Sequence, residues 1–208
     1  MRPIQLTTSS FSTASVAAVA ALQKPSGAGY MTLTATTVTL TPPRFITIIS
    51  VSDETSKTFT ITGTSPSGYT QSEVVTGANA GTATSTLTYA TVTSIYASAA
   101  TTGNMTAGYT QSGYSAWMPL DIYVPNQVTT ISATVSGTIN YSIQYTNEDP
   151  FDTTITQTAV AHPATGGAFT GATANQTHST TTLMRAVRYL VNSGNGTLRL
   201  TIVQQSTA

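Results

Sequence analysis

Charged side chains are scarce in this sequence of 208 residues. Asp, Glu, Lys and Arg make up 7% of it, with seven basic and seven acidic residues and a formal net charge of zero. Ordinary soluble proteins carry about 25%. The sequence has no basic stripe that would neutralise phosphates and no cationic amphipathic segment suited to a membrane surface. It therefore predicts no nucleic-acid partner and no membrane partner.

Cysteine is absent from the sequence. Without thiols, disulfides, thiolate nucleophiles and zinc–thiolate sites are excluded together. No run approaches the ~20 apolar residues of a membrane-spanning helix. The N-terminal stretch SVAAVAAL is weakly apolar and poor in Leu and Ile, unlike a signal peptide, so we expect synthesis in the cytoplasm.

Hydroxyl side chains take the place of the missing charges. The chain contains 46 Thr and 22 Ser residues. Threonine is β-branched and fits a pleated surface, so the composition predicts an all-β protein. Alternation supports this interpretation: the stretch TFTIT places Phe59 and Ile61 on one face and three threonines on the other.

Turn signals recur every eight to twelve residues, a spacing typical of antiparallel sandwiches. GTSPSG, from Gly63 to Gly68, predicts a turn. Ser136-Gly137 and Asn195-Gly196 each predict a tight hairpin between alternating strands. A Gly/Thr/Asn-rich loop is predicted over about 162–180. In the last hairpin Leu198, Leu200 and Ile202 are expected to point inward.

Three segments follow from these signals. Residues 1–29 form an N-terminal arm, helical or extended, with a first strand plus linker as the alternative. Residues 30–112 and 113–208 form two tandem antiparallel β-sandwich domains, Ig-like or jelly-roll-like. The boundary lies in the loop-rich stretch that precedes Trp117.

Candidate sites for chemistry are few. Glu148, Asp149 and Asp152 could offer carboxylate oxygens to Ca²⁺, but NEDP is also typical of a solvated turn, which we favour. His162 and His178 could share a metal or pair with Asp152, yet no third ligand is suitably spaced. We predict no metal site and no cofactor.

Enzymatic activity is not expected. The sequence has no G-x-S-x-G nucleophile elbow. Asp53 and Glu54 are adjacent, so in an extended chain their side chains would point to opposite faces, and Glu73, Asp121 and Asp152 stand alone in sequence. Tyrosines cluster with the single Trp in GYTQSGYSAW, residues 108–117, where exposed rings could stack on sugars or anchor a protein partner.

Three stretches resemble tailed-bacteriophage virion proteins. They are TFTITGTSPSGYTQSEVVTGANAGTATSTLTYATVTSI (Thr58 to Ile95), INYSIQYTNEDPFD (Ile139 to Asp152) and RAVRYLVNSGNGTLRLTIVQQ (Arg185 to Gln205). Their order and spacing match that group, and the similarity covers most of the chain from about Lys24. The resemblance implies a structural component of a phage particle without a known enzymatic role.

The expected function is that of a head decoration, or cement, protein in the virion, which binds the major capsid protein on the outside of the head. A homo-oligomer is expected because the chain has too few charges to blunt its sheet edges. The alternatives are a tail-associated component, such as a fibre-anchoring or tail-ring protein, and a surface adhesin or carbohydrate-binding module.

Overall fold

A computed structural model of the chain describes residues 2–5, 9–123, 126–152, 154–155, 157–162 and 169–206. These residues form antiparallel strands and no helix, which confirms the all-β prediction. The strands are β1 Arg2–Gln5, β2 Ser9–Phe11, β3 Ser15–Gln23, β4 Gly29–Tyr30, β5 Val38–Ser50, β6 Thr58–Thr64, β7 Thr70–Thr76, β8 Thr82–Ala97, β9 Met105–Tyr109, β10 Gly113–Tyr114, β11 Met118–Pro119, β12 Gln127–Thr146, β13 Val160–His162, β14 Gln176–Thr180 and β15 Ala186–Ser206.

The chain divides into two compact units. One consists of residues 13–114, and the other joins residues 1–12 to residues 115–208. The N-terminal residues belong to the second unit because β1 and β2 both pair with β15. Segment 1–29, predicted as an arm, thus supplies β1, β2, β3 and the start of β4, and residues 15–23 form a strand and not a helix.

The 13–114 unit contains a sheet with strand order β3-β9-β5-β8-β6-β7, and β4 pairs with β8. Side chains from both ends of this sheet, Val19 on β3 and Val75 on β7, belong to one buried core with Phe59 and Ile61. Glu73 on β7 accepts from the Thr86 amide of β8 at 2.7 Å although the register aligns it, through Ile61, with Ile95, so this sheet curls. The predicted inward positions of Phe59 and Ile61 are confirmed, since both are fully buried.

The turn predicted at residues 63–68 is found at residues 65–69, because Gly63 and Thr64 still belong to strand β6. β6 and β7 form a hairpin in which Thr64 pairs with Thr70. The Gly68 amide donates to the Ser65 carbonyl at 2.9 Å, and Gly68 has a φ of 86°. Glycine adopts that left-handed conformation without the steric cost that a Cβ would bring.

The second unit is built on one long ladder. β12 pairs antiparallel with β15 from Gln127↔Ser206 to Thr146↔Ala186. The remaining edge of β12 carries β14 along residues 129–133 and β13 along residues 143–145. β15 in turn carries β1, β2 and β11. Leu198, Leu200 and Ile202 point inward as predicted.

The two hairpins predicted in this unit are wrong. Ser136-Gly137 and Asn195-Gly196 do not close turns but face each other in the middle of the ladder, where Gly137 pairs with Gly196. Glycine in a strand marks a place where backbones approach closely, and its sequence signal is the same as that of a tight turn. The predicted loop at 162–180 also needs correction, because Gln176–Thr180 is β14; residues 163–168 lie outside the described residues.

Candidate functional site

The acidic loop after β12 uses its carboxylates within the protein. Asp149 forms an ion pair with Arg185 at 2.7 Å. Glu148 accepts hydrogen bonds from the amide and hydroxyl of Thr158. Asp152 accepts from the amide of Thr154 at 2.8 Å and from its hydroxyl at 2.6 Å, and these bonds lower the pKa of Asp152. The three carboxylates do not converge on a shared point, and this geometry is that of a capped turn.

The two histidines meet, although they lie 16 residues apart. Nδ1 of His178 and Nε2 of His162 are 3.2 Å apart, so one imidazole donates a hydrogen bond to the other. His162 is 2% exposed. Its ring stacks on Phe169 and meets the edge of Tyr145. We call this pair the histidine clasp.

Charge on His162 is disfavoured by its surroundings. Burial, and secondly the neighbouring His178, lower the pKa of His162 to about 4. Within the described residues there is no group of three or more His, Asp or Glu side chains that could hold a metal ion. The pairing with Asp152 that the sequence allowed is not what forms; His178 is the hydrogen-bonding partner of His162.

The clasp also shows how the long ladder is shaped. His162 lies opposite Ile143, and His178 lies opposite Ile131, on the same edge of β12. In a straight strand those two β12 positions would be roughly 40 Å apart, at about 3.3 Å per residue. Because the two imidazoles are in contact, β12 must fold back on itself between these positions, and Gly137 lies at the centre of the interval.

A buried carboxylate lies in the 13–114 unit. Glu54 is fully buried, while its neighbour Asp53 is exposed, so the two side chains do point to opposite sides. Its oxygens contact the Lys57 ammonium at 2.6 Å and accept from the amides of Thr102 at 2.8 Å and Gly103 at 2.9 Å. Burial alone would raise the pKa of Glu54, but these three donors together hold it below its ordinary value. The bonds from Thr102 and Gly103 join the loop that carries Glu54 to the loop between β8 and β9, and this is a structural role.

The aromatic stretch 108–117 is divided between the two units, and each of its rings has a partner within its own unit. The Arg44 guanidinium lies over the ring of Tyr109 at 5.5 Å, and Tyr114 meets Phe45 edge to face. In the other unit, the Arg188 guanidinium lies over Trp117 at 4.3 Å. These rings are therefore anchors within each unit.

A different surface of the 13–114 unit carries exposed aromatic rings. The outward positions of β6, β7, β4 and the second half of β8 share one face, which we call the threonine face. It comprises Tyr30, Thr58, Thr60, Thr62, Thr64, Thr70, Ser72, Val74, Thr76, Thr91, Ser94 and Tyr96.

Register aligns one row of side chains across the four strands of this face. Val74 pairs with Thr60, Thr60 with Tyr96, and Tyr96 with Tyr30. The two tyrosine rings meet edge to face with their centroids 5.1 Å apart. Tyr30 is 75% exposed and Tyr96 37% exposed. The alternation in TFTIT predicted the threonines, but the two tyrosines are 66 positions apart, and only the pairing of β4 with β8 brings them together.

Comparison with known proteins adds no relative: no protein-family model, curated protein or solved structure gives a significant match. In the described part of the chain, no helix has the length and apolar character needed to cross a membrane.

Proposed function

We propose that the chain is a non-enzymatic structural protein of a tailed-phage particle, and specifically a head decoration protein that binds the major capsid protein on the outside of the head. The observation that carries this proposal is the replacement of charges by hydroxyls on an exposed sheet face. None of the twelve side chains of the threonine face is charged, and nine are Ser or Thr. The resemblance of three stretches to virion proteins gives the particle context.

The fold suits a part that must stay rigid. We propose that each unit is a β-sandwich, Ig-like or jelly-roll-like, in which one long pair of strands contributes to both layers. In the second unit Ile131 and Ile143, from opposite halves of β12, belong to the same buried core.

Attachment by a free N-terminal arm is not part of this proposal. Phe11 is 3% exposed and meets the ring of Tyr189, so residues near the N-terminus contribute to the core of their own unit. β1 and β2 cover an edge of β15 that would otherwise be open. We propose that the protein binds the shell, and other copies of itself, through surfaces and loops.

The experiment that tests the proposal is the copy number per particle, measured by quantitative mass spectrometry of purified virions against the major capsid protein. A ratio near a simple fraction or multiple of the shell protein is expected. A count that matches the few-fold symmetry of the tail would assign the chain to a tail ring or fibre anchor. Absence from the particle would overturn both virion roles.

Salt dependence provides a second measurement. Contacts made by hydroxyl and apolar groups are screened little by salt, whereas exposed ion pairs weaken beyond a Debye length of about 8 Å at 0.15 M. Binding of the purified protein to expanded heads is therefore expected to change less than threefold between low and high salt. A loss of tenfold or more would show that ion pairs dominate the attachment.

A further inference from the structure

We propose that the threonine face binds a neutral carbohydrate, with Tyr30 and Tyr96 at the centre of the site. This inference goes beyond a structural role in the particle and does not depend on it. It also differs in location from the stretch 108–117, where the sequence alone suggested contacts with sugars.

Two aromatic rings are available on the threonine face. Sugars present flat faces of C–H groups, which pack against the negatively polarised face of an aromatic ring. Tyr30 is 75% exposed, and its edge-to-face contact with Tyr96 fixes its position on the sheet. Trp117, by contrast, already has the Arg188 guanidinium over its ring at 4.3 Å.

Uncharged hydroxyl groups surround the two rings. Thr58, Thr60 and Thr62 place hydroxyls two residues apart along β6, beside Ser94 on β8. Each hydroxyl both donates and accepts hydrogen bonds, as the hydroxyls of a sugar do. No side chain of the face is charged, so a carboxylated or sulfated sugar would lose water without gaining an ionic partner. The face therefore favours neutral sugars over anionic ones.

The area of the threonine face suits a small ligand. Four strands spaced about 4.8 Å apart and up to seven residues long at about 3.4 Å each cover roughly 400 Å². A stable protein interface buries about 800 Å² on each partner. A second copy of the chain seated on this face alone would thus be held by about half the usual area, whereas a short oligosaccharide would be covered well.

The test is a glycan array that presents neutral and anionic bacterial and plant oligosaccharides, probed with the full-length protein and followed by calorimetry on the best neutral ligand. We expect neutral ligands to be selected and the affinity to fall at least tenfold in Tyr30→Ala and in Tyr96→Ala. Tyr30→Phe, which keeps the ring, is expected to retain binding within threefold. Thr62→Glu, which adds a charge without removing a ring, is expected to weaken it.

Two exposed tyrosines outside the face provide matched controls. Tyr69 is 45% exposed in the turn after β6, and Tyr123 is 89% exposed in the other unit. Tyr69→Ala and Tyr123→Ala should leave binding unchanged. The proposal is overturned if the array shows no neutral ligand, or if the Tyr30→Ala/Tyr96→Ala double variant binds as well as the parent. It is equally overturned if the protein self-associates through this face, shown by dimers that Tyr30→Ala abolishes.

Discussion

β12 in one unit and β8 in the other are both long strands that bend back on themselves. Different residues produce the two bends. The histidine clasp requires β12 to fold near Gly137. In the 13–114 unit, Glu73 on β7 lies two strands from Ile95 on β8, yet its carboxylate accepts from the Thr86 amide at 2.7 Å. Thr86 and Ile95 would be roughly 30 Å apart on a straight strand. β8 therefore folds between them.

The bend in the β12–β15 ladder depends on glycines, which carry no side chain. A Cβ on Gly194 would lie 1.9 Å from the Thr138 carbonyl oxygen, and one on Gly196 would lie 2.0 Å from that of Ser136. The register also shifts between Asn140 and Tyr141, which leaves Asn192 as an inserted residue on β15. Close backbone contact and one bulge together make the bend, and the inserted Asn192 donates from its side-chain amide to Asn140 at 2.7 Å and to Ser142 at 3.1 Å.

The bend in the β5–β8 ladder depends on side chains that form hydrogen bonds with backbone groups lacking a partner in the ladder. Residues 85–87 of β8 are inserted opposite Ile46. The Ser85 hydroxyl accepts from the Ile46 amide at 2.8 Å and donates to the Leu87 carbonyl at 2.7 Å. Glu73 accepts from the amides of Thr86 and Leu87. Backbone groups that the inserted residues leave without a ladder partner are thus satisfied by a hydroxyl and a carboxylate.

The side chains that hold the two halves together also differ between the units. Gln71 and Glu73 tie β7 to residues 86–88 of β8, by bonds from side chain to backbone. The histidine clasp ties β13 to β14 by one bond between imidazoles. Long strands that bend back in the two units are thus held by contacts with different sensitivities, and four measurements can test this.

The largest loss of stability is expected at the bend of the β12–β15 ladder, where glycines approach the neighbouring backbone. Gly194→Ala should cost roughly 4 kcal/mol or more of unfolding free energy, because the new Cβ meets a backbone oxygen and φ is 115°. Urea unfolding followed by the fluorescence of Trp117, which lies in this unit, measures it. Gly171→Ala is the control in the same unit, since Gly171 also has a positive φ, of 64°, but its added Cβ would meet nothing closer than 3.7 Å. If both variants unfold at the same urea concentration, close approach does not shape the ladder.

Acid is expected to weaken the 115–208 unit selectively. The folded pKa of His162 is about 4, below its ordinary value of 6.5, so the unfolded chain binds more protons between these values. Its contribution is complete above pH 6.5 and is lost as the pH falls towards 4, by about 3 kcal/mol at 1.36 kcal/mol per unit.

Hydrogen exchange of peptides from each unit, at pH 7 and pH 5 with rates corrected for pH, measures this effect. His162→Phe should flatten the pH dependence of the 115–208 unit and leave that of the 13–114 unit unchanged. Equal loss of protection in both units at pH 5 would contradict the assignment to the clasp.

Changes to Glu73, at the bend of β8, should have a smaller effect on the free energy of unfolding. The size of the effect should depend on how many hydrogen bonds the new side chain can accept. Glu73→Ala removes the acceptor for two amides and one hydroxyl and should cost about 2 kcal/mol, whereas Glu73→Gln keeps one acceptor and should cost about 1 kcal/mol. Urea unfolding followed by exchange within residues 82–97 reads this out. Equal costs for the two variants would show that the hydrogen bonds are not what matters.

The smallest effect separates backbone conformation from steric clash. Gly68 has a φ of 86° but nothing within 4 Å of an added Cβ. Gly68→Ala should therefore cost only about 1 kcal/mol, the strain of a left-handed residue. A cost as large as that of Gly194→Ala would mean that φ alone, and not close approach, explains both sites.

The sequence allowed us to predict which side chains point inward, because apolar residues alternate with polar ones along the strands. Phe59 and Ile61 are one example, and Leu198 and Leu200 are another. It did not allow the paths of the strands to be predicted. Ser-Gly and Asn-Gly indicate a place where the backbone can adopt unusual conformations. Both a tight turn and a bend in a long strand pair need such a place. The meetings of His162 with His178 and of Tyr30 with Tyr96 depend on register between distant strands, which no local pattern encodes.

The pairing of Arg2 with Gln204 has a consequence for synthesis on the ribosome. At about 5–20 residues per second, roughly 10–40 s separate the emergence of these two partners. The 13–114 unit is complete in the chain well before β15 exists, so it can fold while β1 and β2 wait unpaired. β1 needs a partner that is translated long after it, so the second unit can close only after β15 has emerged.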